Sequence, residues 1–328
     1  MIPSDEQKSI FLQSYSEVID RFLPIAIGER ASPSDLLFAY RLLLGRMPST
    51  QDELSYITGY SGTFREFING LLESKEFGNR FGFLPGGHHL MTEANGFRFW
   101  FNSSDREMGG SMASGSYEPE TVAVVRKLLR PGMTCLDVGA QTGFFTCLFG
   151  KIVGPSGRVF AFEPLHGSFE LLRKNVRENE IQDRTVIRQV ACAAVPGKLR
   201  VDIKSRMVVA ANQGAHVIDA VSLDDEVEGH VDFCKGDVEG HEPGVIAGMS
   251  KILERAKPII LTEFNQYWLQ QAGSSISDYA RLLREHGYEL WNIGNTLIAF
   301  DETHDYDPLA NFNVLAMNPD VRVHRFPG

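Results

Sequence analysis

What this chain has little of narrows its class first. It contains four cysteines, Cys135, Cys147, Cys192 and Cys234, each standing singly inside an apolar segment. Neither a disulfide framework nor a zinc site has such spacing, so free buried thiols in a reducing compartment are expected. Positive charge is not in excess: 32 Lys and Arg against 42 Asp and Glu leave a net charge of −10. That balance argues against DNA or an acidic membrane surface as the main partner. No apolar run approaches the roughly 18 residues that a spanning helix needs. The amino terminus, Met1 to Lys8, is polar and acidic and does not read as a signal peptide, which makes the cytoplasm the expected location.

What is present begins with Leu136-Asp137-Val138-Gly139-Ala140-Gln141-Thr142-Gly143. An apolar run that ends in an acid and then glycines predicts a strand, a tight turn and a helix. In an open parallel sheet this turn is where nucleotide-like cofactors lie. Glu163 follows Gly143 by 163 − 143 = 20 residues, at the tip of the next apolar run, Val159 to Phe162. A carboxylate there can accept hydrogen bonds from ribose hydroxyls. The turn alone would serve equally well as a plain strand-to-helix connection; the acid at this spacing is what points to a nucleoside. The pattern is Gly-x-x-x-Gly, without the second glycine of dinucleotide sites and without the Lys-Ser/Thr of triphosphate loops. A cofactor with a nucleoside and no phosphates suits it, and S-adenosylmethionine is the common one.

Along the chain, residues 9 to 77 read as helices only. Thr50 to Glu53 and Thr63 to Glu66 fit capping boxes, and Leu36, Leu37, Tyr40, Leu43 and Leu44 recur at helical spacing, as do Phe64, Phe67, Ile68, Leu71 and Leu72. This predicts a small all-α amino-terminal domain over 1–80, used for docking or oligomerisation. Glycines and Ser103-Ser104-Asp105 mark 81–115 as a linker with a short strand or hairpin around Phe97–Phe101, a wall for the mouth of the site. His88-His89 has no partner ligands at useful spacing and reads as a surface pair.

From 116 to 328, helices and strands alternate. Strands are expected at 134–138, 158–162, 186–191, 231–235 and 258–263, with helices at 121–129, 144–153, 167–179 and 243–256. A further helix opens at Ser275 and closes at Gly287, followed by a hairpin over 288–300 and a last strand at 313–317. This order predicts an α/β doubly wound sheet with an antiparallel edge. Asp137, Glu163, Asp237 and Glu263 each end an apolar run, so the sheet gathers four carboxylates on its ligand-facing rim. A strand continuing through Lys235-Gly236-Asp237-Val238-Glu239 would turn Lys235, Asp237 and Glu239 to one face. That stretch is either a solvated charged turn or part of an active site.

These motifs, with Phe162-Glu163-Pro164, Phe169, Leu172, Asn175, Ser222-Leu223-Asp224, Lys235-x-Asp237-x-Glu239-Gly240-x-Glu242 and Pro258-Ile259-Ile260-Leu261-x-Glu263, resemble the FkbM family of S-adenosylmethionine-dependent methyltransferases. The resemblance covers roughly residues 115 to 265. Gly236 stands where the family has an apolar residue, and His241 where a small one is usual. A shorter likeness, at Tyr40-Arg41-x-x-Leu44-Gly45-Arg46 and Ser74-x-Glu76-Phe77, is to a small domain found beside bacterial glycan-modifying enzymes. The resemblance implies a seven-stranded Rossmann-like methyltransferase sheet and O-methylation, with a sugar, glycan or related bacterial metabolite as acceptor.

Such a transfer needs a base for the hydroxyl proton. Asp237, Glu239 and His241 are the candidates, then Glu263, with Lys235 better suited to pair with a carboxylate. Asp237, Glu239 and Glu263 could instead hold a magnesium ion. Glu163 is assigned to the ribose, Gly139, Ala140 and Gly143 to the close turn, and Asp137 to the methionine end. Phe162 and Pro164 are placed to flank the adenine, with core packing the alternative for Phe162. Asn175 reads as a helix residue satisfied locally, and Tyr117 and Glu118 as able to close over the cofactor. Two rival readings are a catalytically silent binding module acting through the helical domain, and a nicotinamide oxidoreductase, which the missing glycine disfavours.

Overall fold

The computed structural model describes residues 32–40, 47–64, 67, 70–71, 89–102, 111, 117–201, 216–294, 297–301 and 306–321. The chain forms two compact units, Met1–Thr92 with Trp100–Gly115, and Glu93–Phe99 with Ser116–Gly328.

In the first unit, helices α1 (Pro33–Ala39) and α2 (Gln51–Gly59) carry capping boxes at Ser32 and Thr50. Thr50 accepts from the Glu53 N–H at 3.2 Å while the Glu53 carboxylate accepts from the Thr50 N–H at 3.1 Å. Each bond satisfies a first-turn donor that the helix itself leaves open. Leu36, Ala39, Tyr40, Ile57, Phe67 and Leu71 form its core. Leu43, Leu44, Ile68, Leu72 and the expected cap partner Glu66 lie outside the described residues, as do His88 and Ser74 to Phe77.

Strands β1 (His89–Ala94) and β2 (Phe97–Asn102) make a two-stranded sheet. They turn at Asn95 and Gly96, whose φ of 57° and 84° match the tight hairpin turn that Asn-Gly favours.

The second unit continues through α3 (Pro119–Leu128), β3 (Thr134–Val138), α4 (Phe144–Val153), β4 (Arg158–Phe162), α5 (His166–Glu178) and β5 (Thr185–Arg188). Then come β6 (Ala191–Cys192), β7 (Gly197–Val201), β8 (His216–Val221), α6 (Leu223–Glu226), β9 (Phe233–Gly236), α7 (Glu242–Ala247) and α8 (Ser250–Ala256). The unit closes with β10 (Ile259–Asn265), α9 (Gln266–Gln271), α10 (Ile276–Glu285), β11 (Glu289–Asn292), β12 (Ile298–Ala299) and β13 (Asn311–Met317). The large sheet has the order β12-β11-β13-β10-β9-β3-β4-β5. Strands β10, β9, β3, β4 and β5 are parallel, while β13 runs antiparallel to both β10 and β11. The central strands are buried without alternation, as expected of a parallel sheet covered on both faces: four of the five residues of β3 and all four of β9 are buried.

Three details depart from expectation. The sheet has eight strands rather than seven, and β13 inserts between β10 and the β11–β12 hairpin, so that hairpin is the outer edge. Residues 191–192 leave the large sheet for a small one, β6-β8-β7, whose alternating Lys and Arg hid it from an apolar-run criterion. The helix expected over 243–256 is two helices. The break falls at Gly248 and Met249, where a side chain on Gly248 would stand 2.1 Å from the Ala193 carbonyl oxygen. Asp224 stabilises the break by accepting from the N–H groups of Lys251 and Ile252, both at 2.9 Å, as the cap of α8.

Candidate active site

The turn after β3 is held from three sides. The N–H groups of Gly139 and Ala140 donate to the Phe162 carbonyl at 3.0 and 2.9 Å, tying the turn to the tip of β4. Gly139 has φ +81°, and a Cβ there would lie 1.8 Å from the Asp237 carbonyl oxygen. Only glycine lets the turn lie against the segment that leaves β9. At Gly143, φ +89°, a Cβ would meet the Leu172 side chain at 2.5 Å, which brings α5 close to the start of α4. From α5 the Asn175 side chain donates to the Thr142 carbonyl at 2.8 Å. Asn175 thus reaches beyond its own helix: it ties down the glycine turn from 33 residues away in sequence.

Glu163 is 5% exposed, and its carboxylate joins the turn to the next loop. It accepts from the Gln141 N–H at 2.9 Å and the Leu165 N–H at 2.8 Å. A carboxylate can accept about four hydrogen bonds, so these two alone do not exhaust it. Pro164 is half-buried beside it. The Phe162 ring, in contrast, is 1% exposed inside the main hydrophobic core, so it does not flank an adenine; its carbonyl, not its ring, serves the turn.

Next to the turn lies a group of charges at the carboxyl ends of β3, β9 and β10. Register pairs Asp137 and Leu261 with Lys235. Lys235, 3% exposed, donates to Asp237 at 2.9 Å and lies 4.7 Å from the centre of the Phe145 ring. Burial works to lower its pKa, but Asp237, Glu118, Tyr117 and Asp137 more than reverse this, so the ammonium stays charged. Asp137 accepts from the Thr146 hydroxyl and is pushed up to about 6 by burial, with Lys235 and Thr146 pulling the other way. Burial raises Glu242 to about 7, although its carboxylate accepts from the Val238 N–H at 2.8 Å. Glu263 is raised well above the carboxylate range by burial and by Asp237, Glu242 and Glu239.

The strand expected to run through 239 ends at Gly236, and Glu239 and Gly240 take left-handed φ of 54° and 91°. Alternation therefore stops after Lys235 and Asp237, and Glu239 sits on a turn. Substituting Gly240 would set a Cβ 2.4 Å from the Trp268 carbonyl oxygen. His241 is half-buried at the start of α7, and its Nε2 is buried without a hydrogen-bond partner. Burial lowers its pKa, which keeps the ring neutral.

The magnesium alternative gains no support: among the described residues no three His, Cys, Asp or Glu side chains converge as metal ligands, and Lys235 engages one oxygen of Asp237. Tyr117 packs edge-on against Phe144, with ring centroids 5.0 Å apart, and Glu118 accepts from Asn313 at 3.0 Å. The bonds that place Asn175 and Asn313 link distant positions, and the sequence carries no signal for them.

Residues 137–290 match the Methyltransferase FkbM domain. A stretch of 71 residues is 32% identical to protein-L-isoaspartate O-methyltransferase of Methanothrix thermoacetophila, covering 21% of this chain and 34% of that protein. The protein of the same name from Methanothermobacter thermautotrophicus is 31% identical over 71 residues, 21% of this chain and 33% of that one. The chain thus spans about a third of the length of the curated relatives it matches. Among solved structures, methyltransferase FkbM from Methylobacillus flagellatus KT is 14% identical, with a TM-score of 0.41 over 92% of this chain and 60% of that one. An S-adenosylmethionine-dependent O-methyltransferase from Thermotoga maritima is 16% identical, with a TM-score of 0.38 over 74% and 81%.

Proposed function

We propose that this chain, whose residues 137–290 are a Methyltransferase FkbM domain, transfers the methyl group of S-adenosylmethionine to a hydroxyl of a sugar, a glycan or a related metabolite. The observation that carries the reading is Glu163, a buried carboxylate at the tip of β4 that is hydrogen bonded to the backbone of the glycine turn. S-adenosylmethionine, when bound, supplies an electrophilic methyl group on a positively charged sulfur. The residues fit it: Glu163 would accept from the ribose hydroxyls, and Gly139, Ala140 and Gly143 would admit the nucleoside against the backbone, with Asp137 towards the methionine end and Pro164 beside the adenine.

Asp237 takes the proton of the acceptor hydroxyl. Its backbone abuts the glycine turn, its side chain is 29% exposed, and Lys235 fixes one carboxylate oxygen at 2.9 Å. Lys235 stays charged and does not act as the base. Glu263 and Glu239, the latter on its turn, border the same rim. Holding acceptor and methyl group in line contributes up to about 7–11 kcal/mol in favourable intramolecular cases. A second assignment of the base, to His241, is favoured by its neutral ring and unpartnered Nε2.

The sugar or glycan acceptor is supported by the likeness of the amino-terminal segment to a domain found beside glycan-modifying enzymes. The helical unit serves docking or oligomerisation in this reading.

The test has two stages. Calorimetry should show S-adenosylhomocysteine binding to the wild type and to Asp237→Ala, and much weaker binding to Glu163→Ala. Labelled methyl transfer into a pool of nucleotide sugars and polysaccharides should then fall about 10²–10⁴-fold in Asp237→Ala, the usual range for a lost general base. If His241→Gln falls by that factor and Asp237→Ala does not, the base is His241. Binding with no transfer to any acceptor would favour the silent module, and no binding by folded protein overturns the reading.

A further inference from the structure

Strand β10 does not stop where the parallel sheet stops. Its last pairing with β9 joins Thr262 to Gly236, level with Val138 of β3. Its pairing with β13 goes on through Glu263–Asn313 and Phe264–Phe312 to Asn265–Asn311, and the Gln266 N–H then donates to the Ala310 carbonyl at 2.9 Å. A two-stranded flange therefore stands about 10 Å beyond the rim, at about 3.3 Å per residue.

The two faces of the flange differ. Phe264 and Phe312 turn into the main core, with ring centroids 6.0 Å apart. Side chains alternate along a strand, and residues paired across strands share a face, so Glu263 and Asn265 lie on the side of Leu261. Leu261 is in register with Lys235, and Lys235 with Asp137. Glu263, Asn265, Asn311 and Asn313 thus continue the face that carries Lys235 and Asp137. Asn311 is exposed, while Asn265 and Asn313 are half-buried.

Asparagine is depleted in strands, so three on one face of so short a ladder are not there to form it. Two of them are partly engaged. Asn313 donates to Glu118 and to the Thr121 hydroxyl, both at 3.0 Å. Asn265 accepts from the Trp268 N–H at 3.2 Å as the cap of α9. The Trp268 carbonyl abuts Gly240, so the tip of the flange is fixed beside the turn that carries Glu239. The bond from Trp268 also fixes the Asn265 amide: its oxygen is engaged and its NH₂ remains to donate. Asn311 makes no side-chain hydrogen bond among the described residues. Neutral amides that both donate and accept match hydroxyls. They offer a phosphate no counter-charge, and an apolar ligand would bury them unsatisfied.

We propose that this face of the flange is the acceptor wall of the site. The Asn265 and Asn311 amides hydrogen bond to hydroxyls beside the one that is methylated, and so select a polyhydroxylated acceptor. This rests on the methyltransferase reading above.

The experiment takes the component of the nucleotide-sugar and polysaccharide pool that the wild type methylates. It measures kcat and KM for that component, and Kd for S-adenosylhomocysteine, on the wild type, Asn311→Ala and Asn265→Asp. Aspartate keeps the oxygen that caps α9 and removes the NH₂. KM should rise about three- to tenfold, the loss of one hydrogen bond, while S-adenosylhomocysteine affinity stays within about twofold. A KM unchanged in both variants overturns the proposal, as does a loss of S-adenosylhomocysteine affinity that matches the rise in KM. If Asn265→Asp fails to fold, the exposed Asn311→Ala decides alone. A wild type that binds S-adenosylhomocysteine and methylates nothing in the pool overturns the reading beneath and this proposal with it, a different failure from transfer with unchanged KM.

Discussion

Replacing Glu163 by glutamine separates two jobs that one carboxylate is assigned. In the wild type its two oxygens accept from the Gln141 and Leu165 N–H groups at 2.9 and 2.8 Å. Glutamine keeps one acceptor oxygen and puts an NH₂ where the other stood, so one backbone donor faces another donor. Leaving a buried N–H unsatisfied costs about 1–3 kcal/mol, and the remaining bond loses its charge assistance, about 1 kcal/mol more. Removing a buried charge offsets part of this. A net loss of about 1–3 kcal/mol is expected, which for a unit of this size lowers Tm by roughly 2–12 °C. The ribose contact adds a separate effect. Losing charge assistance in bonds to hydroxyls should weaken S-adenosylhomocysteine binding by about 1–3 kcal/mol, roughly 5- to 150-fold. Thermal unfolding and calorimetry on one preparation read both. Lower stability with unchanged affinity would make Glu163 a staple of the turn and refute its ribose role. Unchanged stability would refute the hydrogen bonding described here.

Gly139→Ala should lose about 3 kcal/mol or more, since the left-handed backbone alone costs about 1–2 kcal/mol and its new Cβ would meet a carbonyl oxygen at 1.8 Å; urea unfolding close to wild type would contradict this. Glu239→Gln should leave S-adenosylhomocysteine affinity nearly intact and mainly slow transfer, the reverse of the Glu163→Gln ordering; affinity losses in the opposite order mean that the two positions have been exchanged. Glu242 titrates at about 7 in the folded protein against an ordinary 4.5, so the folded state holds its proton more strongly. Its effect on stability is most favourable below pH 4.5 and is lost as pH rises through 7, by roughly 3 kcal/mol at about 1.4 kcal/mol per pH unit. Glu242→Gln should therefore flatten the stability profile between pH 5 and 8, and an unaltered slope would show that another group carries it.

The parallel core was legible because burial on both faces writes a continuous apolar run, as at Val159 to Phe162 and Ile259 to Leu261. The glycine turn was legible for a related reason, since left-handed backbone and close approach leave few residues to choose from. The small sheet was not. Strands such as Gly197–Val201 expose most of their residues and carry no apolar run. The role of Asn175 was equally hidden, because its partner is a backbone carbonyl, which every residue possesses. Ser222-Leu223-Asp224 was visible as a motif, yet only the fold shows that Asp224 seals a break between two helices rather than meeting a ligand.

The short strand segment 93–99 belongs to the same compact unit as 116–328, although the intervening stretch does not. Asn179, at the end of α5, grips Arg98 by accepting from its N–H at 3.1 Å and donating to its carbonyl at 2.6 Å. Phe97 and Phe99 pack edge-on against Phe144 just beyond the glycine turn. A fragment cut at 116 would discard these rings, uncover Phe144 and strand Asn179, which invites aggregation in what looks like a clean domain. Expression boundaries for this unit belong upstream of residue 93, or the excised segment must be spliced back.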